Sequence, residues 1–130
     1  MVRNTAAELK RAPGAANRGR YPVDRVHLAK QALGDPGLEL EVLRMFDETA
    51  RVYFGRIERS TSVEELLRHL HTLKGAAAGI GAVTIAERAA TTESELRGGA
   101  PVNPERIDDL EMAVVECSAW IEARLAEAGE

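Results

Sequence analysis

Ser62-Val63-Glu64-Glu65-Leu66-Leu67-Arg68-His69-Leu70-His71-Thr72-Leu73-Lys74-Gly75-Ala76-Ala77-Ala78-Gly79-Ile80-Gly81 is the stretch on which the fold and the chemistry of this chain turn. Ser62 and Glu65 make an S-x-x-E capping box, a helix start. Val63, Leu66, Leu70, Leu73, Ala77 and Ile80 then recur at the 3-4 spacing of one apolar helix stripe. Gly79 and Gly81 end or bend the helix. At 100° per residue the centre of that stripe lies roughly 130° from His71, so His71 faces solvent or a partner. Lys74 at i+3 and Gly75 at i+4 share its side. A glycine inside a helix costs about 1 kcal/mol relative to alanine, and that cost at position 75 asks for a reason. Helical side chains lean toward the N-terminus. A large residue at 75 would therefore crowd the imidazole, whereas Gly75 and Ala78 leave it open.

The same reading extends outward in both directions. Asp24 caps a short helix to about Leu33, with Val26, Ala29 and Leu33 on one side. Gly34-Asp35-Pro36 supplies a stop, an N-cap and a first-turn proline. The next helix runs from Pro36 to about Ser60, with Leu43, Phe46, Ala50, Tyr53 and Ile57 as its stripe. After the motif helix, a fourth long pattern spans about Val83 to Leu96 with Ile85, Ala86, Ala89 and Leu96 inward, and Gly98-Gly99 stop it. Asn103-Pro104 opens the last helix, striped by Ile107, Leu110, Val114, Cys117, Ile121 and Leu125. Four long amphipathic helices on short connections predict an all-α, up-down-up-down four-helix bundle, with the short additional N-terminal helix across one end.

Charge narrows the function classes. The net charge of −4 divides unevenly: residues 1–22 carry Arg3, Lys10, Arg11, Arg18 and Arg20 against Glu8 alone, a net of +4, and residues 23–130 carry 12 basic and 20 acidic side chains, a net of −8. An acidic body lacks the clustered cations that a nucleic-acid surface needs. Residues 1–22 read as a basic, flexible leader and 23–130 as the bundle. The leader has no apolar core of a signal peptide, and no run of ~18 apolar residues occurs. A lone Cys117 excludes an internal disulfide and fits a reducing compartment. A soluble, cytoplasmic protein is expected, with no nucleic acid or membrane partner.

Other candidates are weaker than His71. His69 lies about 160° away around the helix, at the edge of the apolar stripe, and reads as half-buried packing. The same divergence argues against a His-x-His metal site. His27 has no partner spacing and reads as structural or solvent-facing. Glu64 and Glu65 do not make the Glu-x-x-His pairs of a bundle metal site, so no metal is expected. Glu93 and Glu95 read as a solvated face, as do Asp108, Asp109 and Glu111. Cys117 reads as a core residue, while Trp120 is left between core and surface. No G-x-x-x-x-G-K-[ST] loop is present, so an ATP-dependent kinase activity is not expected.

His71-Thr72-Leu73-Lys74-Gly75, followed by five residues and Gly81, resembles the signature of histidine-containing phosphotransfer (HPt) domains. The resemblance extends from about Val23 to Leu125 and includes the Gly-Asp-Pro start of the first long helix and Phe46. It implies that His71 is phosphorylated, that Lys74 helps to position the phosphate and that Gly75 gives a receiver domain access. It also implies response-regulator receiver domains and a histidine kinase as partners. No cofactor is expected in this chain, the Mg²⁺ belonging to the receiver. Glu64, Leu67 (taken as exposed), Arg68, Gly75 and Ala78 make the expected docking face of a monomeric carrier. A non-catalytic helical interaction module, binding a receiver or other signalling partner, is the alternative.

Overall fold

The computed structural model describes residues 21–129; the expected leader lies, as far as residue 20, outside them. Five helices follow in order: α1 (Arg25–Gln31), α2 (Pro36–Arg59), α3 (Val63–Ile80), α4 (Val83–Arg97) and α5 (Pro104–Glu127). The expected caps fall where the sequence puts them. Asp24, Asp35, Ser62 and Asn103 each accept backbone N–H bonds of the first turn they precede. The box at α3 is shifted by one residue, because Glu65 Oε1 accepts from the Thr61 N–H at 3.0 Å.

α2 packs on α3 and α5, and α4 packs on the same two, so α3 and α5 stand diagonally opposite. The molecule is an all-α, up-down-up-down bundle, with α1 against α2 and α3 at one end. Its core is aliphatic around two phenylalanines. Leu43, Phe46, Leu70, Leu73, Ile85, Leu110, Cys117 and Ile121 are all buried, each large one worth about 1.5–3 kcal/mol relative to exposure. Burial pushes the Cys117 thiol up to about 12. No helix of the described residues is long and apolar enough to cross a membrane.

Two stripes differ from expectation. On α2 it is Phe54 that is buried, and Tyr53 is half-buried beside α3. On α1 the expected apolar side is the outer one: Val26 is 68% exposed and Leu33 86% exposed, while Val23, Leu28 and Ala32 enter the core. Leu33 is carried away from the helix by the α1–α2 turn, where Leu33 and Gly34 take positive φ values of 55° and 75°, whereas Val26 lies outward because α1 is held through His27 and Gln31 on the end of α3. Val63, counted in the α3 stripe, is also exposed, at the helix's first turn.

Candidate functional site: an exposed histidine over a buried carboxylate

α1 fixes the end of the motif helix. Gly81 caps α3 in the left-handed region, at φ +84°, and its carbonyl accepts from the Asp24 N–H at 2.7 Å. A Cβ there would meet His27 Cβ at 3.1 Å and the Asp24 carbonyl at 3.2 Å. His27 Nε2 donates to the Gly79 carbonyl at 2.9 Å, and Gln31 Nε2 donates to the same oxygen at 2.8 Å. Of the two readings open for His27, the structural one fits: it satisfies an orphan carbonyl of the last turn.

One turn earlier the helix is sterically open. Nothing lies within 4 Å of a Cβ built on Gly75, so the fold itself does not require glycine at that position. The His71 side chain is 65% exposed. Ala78, Glu64 and Arg68 are exposed around it. Leu67 is half-buried and packs against the core, so the expectation of a freely exposed leucine is corrected. His69 points the other way, half-buried with its ring 6.0 Å from that of Tyr53.

The residue that organises the site is Glu93 of α4, which the sequence reading assigned to a solvated face. Its side chain is only 6% exposed. Glu93 Oε2 faces His71 Nδ1 at 3.1 Å and accepts from Arg97 at 2.8 and 3.1 Å, while Oε1 pairs with Lys74 Nζ at 2.7 Å. Burial alone would push the Glu93 carboxyl up, but bonds from Lys74, Arg97 and His71 outweigh it and hold the group at about 2. A carboxylate only accepts, so the nitrogen facing it, Nδ1, carries the ring proton in neutral His71. Nε2 is left with its lone pair and no partner among the described residues.

The signal for Glu93 was present in the chain. It stands four residues after Ala89 and three before Leu96, on the inward stripe of α4. A carboxylate on an apolar stripe must find cations, and Arg97 at i+4 is one of them. Glu95, also read as solvated, is half-buried and accepts three hydrogen bonds from Arg106 that tie α4 to α5. Trp120 is half-buried beneath the Arg124 guanidinium. Among the described residues no group of three or more His, Cys, Asp or Glu could hold a metal ion.

An open groove of about 390 Å³ continues from Lys74 past Ala78, between α3, α4 and α1, over Val83, Ala86 and Ala90. A larger concavity of about 620 Å³ lies by Val26, Leu33 and Glu39 and contains none of these groups.

Among the described residues the bundle thus presents an imidazole nitrogen without a partner on an open helix face, with Lys74 and Arg97 on the carboxylate that faces the ring's other nitrogen. The family model of the Hpt domain matches residues 41–126, and the chain belongs to that family. The match spans α2 almost to the end of α5 and includes His71, Lys74, Gly75, Gly81, Glu93 and Arg97. No match to the chain was found among curated proteins or among solved structures. Membership gives the protein a part in phosphorelay signalling, where Hpt domains are phosphotransfer carriers and not kinases.

Proposed function

We infer that this protein carries a phosphoryl group on His71 and exchanges it with the aspartate of a response-regulator receiver domain, in a cytoplasmic relay fed by a histidine kinase. The observation that carries the reading is the exposed imidazole whose Nδ1 is engaged by ionised Glu93 and whose Nε2 is unengaged. The Nε2 lone pair attacks phosphorus, the bond from phosphorus to the aspartyl oxygen breaks, and its electron pair leaves with the carboxylate. The ring becomes cationic, and the Nδ1–H held by Glu93 offsets that charge, as a buried carboxylate does for a catalytic imidazole. Return transfer runs the same path backwards.

Phosphoryl transfer depends on positioning and charge neutralisation. Lys74 and Arg97, both on Glu93 and both partly exposed, are the cations at hand for the arriving phosphoryl oxygens. The receiver brings the aspartate and the Mg²⁺. Gly75, Ala78 and the groove beyond Lys74 offer its surface a close approach, with Glu64, Leu67 and Arg68 along the rim.

Incubation with a phosphorylated receiver domain tests this directly. Base-stable, acid-labile label is expected on His71, and His71→Gln is expected to take up none. Equal labelling of His71→Gln would overturn the assignment. Receiver binding that persists in that variant, with no transfer to the native chain, would leave only the interaction-module reading.

A further inference from the structure

α5 has two apolar faces, and only one of them is buried. Leu110, Val114, Cys117 and Ile121 enter the core. On the opposite side Met112 is 61% exposed and Val115 60% exposed, followed by Ala119, Ala123 and Ala126, all exposed. Their offsets of 3, 7, 11 and 14 residues from Met112 keep them on one face. The helix carries seven carboxylates against Arg106 and Arg124. Both arginines are engaged elsewhere, Arg106 on Glu95 and Arg124 over Trp120. The outer stripe is therefore bordered by carboxylates, of which Asp108, Glu111 and Glu116 form no ion pair among the described residues.

We propose that residues 1–20 of the same chain dock on this face of α5. Charge is the first argument. The segment has five basic side chains against Glu8 alone, while a second copy of α5 would bring carboxylates against carboxylates. Composition is the second, since Val2, Ala6 and Leu9 repeat at i, i+4 and i+7 between Arg3, Lys10 and Arg11. The third is where the chain enters the fold. Asp24 is tied to Gly81 at the C-terminal end of α3, the end at which Arg124 of α5 stands 3.8 Å from Glu39 of α2. Twenty residues reach about 70 Å when extended, and α5 is about 36 Å long. The exposed apolar side chains of α2, Leu38, Met45 and Val52, lie on a helix of five carboxylates and four arginines, a net of −1 against −5 for α5, so α2 attracts a basic segment less than α5 does. α5 is diagonal to α3, so docking there leaves His71 uncovered, and this inference stands or falls apart from phosphotransfer.

A spin label on Ala7→Cys in the full chain tests it. The native Cys117 is buried with its thiol pushed up to about 12, so the new thiol labels selectively. The Met112 and Val115 methyl resonances are expected to broaden in about 0.01 M salt, where the Debye length is ~30 Å, and to recover toward 1 M, where it is ~3 Å. Met45 and Val52 are expected to stay sharp. In the double variant Asp108→Lys, Glu116→Lys the broadening of Met112 and Val115 should fall to that of Met45. Met112 and Val115 as sharp as Met45 in low salt would overturn the proposal, and so would broadening that persists in the double variant. Broadening seen only when a labelled copy is mixed with a separate isotope-enriched copy would overturn it too, by making the contact intermolecular.

Discussion

Gly75 and Gly81 stand six residues apart on α3, and opposite circumstances surround them. At Gly81 the backbone is left-handed and α1 presses on the position, with His27 Cβ and the Asp24 carbonyl where a side chain would begin. At Gly75 the backbone is ordinary helix and the space is empty. Glycine at 81 serves the chain's own packing, and glycine at 75 leaves room that no other described residue takes up. The middle of α3 is rich in charge and open in space, whereas its end is crowded and its carbonyls are satisfied within the fold.

Four substitutions sharpen or break that contrast. Glu93→Gln strikes the charge of the open region and should have the largest effect. Loss of a histidine's orienting partner costs about 10–100-fold at metal sites, and the same scale is expected for transfer to His71, measured with folded protein and a phosphorylated receiver. The variant should also lose part of the native acid limb. Glu93 sits at about 2, below its ordinary value of 4.5. Its contribution is thus fully present above the ordinary carboxylate range and is lost as pH falls through about 2. Denaturant unfolding of both proteins across that window measures the difference, and superimposed curves would mean that the cations do not hold the carboxylate.

Gly81→Ala comes next. A left-handed alanine costs roughly 1–2 kcal/mol, a factor of about 5–30 in the folded ratio, and contact with His27 adds to it. Its effect should appear in chemical denaturation and leave transfer by the folded protein near native. Gly75→Leu reverses the pattern: intact helicity by circular dichroism, with transfer slowed by about tenfold, or ~1.4 kcal/mol. Unimpaired transfer by that variant would remove the access argument. Gly75→Ala is the smallest change, expected to stabilise the protein by about 0.5–1 kcal/mol at little cost to transfer.

Local chemistry made much of the architecture legible. The caps at Asp24, Asp35, Ser62 and Asn103, the proline starts and the 3-4 stripes act within one or two turns, so the chain declares them directly. The separation of His71 from His69 follows from the same helical geometry. What lay beyond reach depended on contacts between elements. Glu93 is acidic and flanked by Ser94 and Glu95, and only the approach of α3 to α4 supplies the Lys74 and His71 that hold it inside. Leu67 was exposed on the wheel of an isolated helix, but a neighbouring helix covers half of it. The outward side of Val26 likewise reflects how α1 is held by the end of α3, which no periodicity within α1 records.

The full engagement of Glu93 bears on how long a phosphoryl group would last on this surface. Hydrolysis of a phosphoramidate is assisted by a base that can take a proton from an attacking water. The nearest carboxylate lies on the Nδ1 side of the ring, away from the Nε2 where phosphorus would sit, and its two oxygens already serve a lysine, an arginine and the imidazole itself. With a value of about 2 it is also a feeble base at neutral pH. Under the proposed function, the carboxylate that orients the histidine would be unable to help water remove its phosphoryl group, and the lifetime of the signal would be left to the partner that collects it.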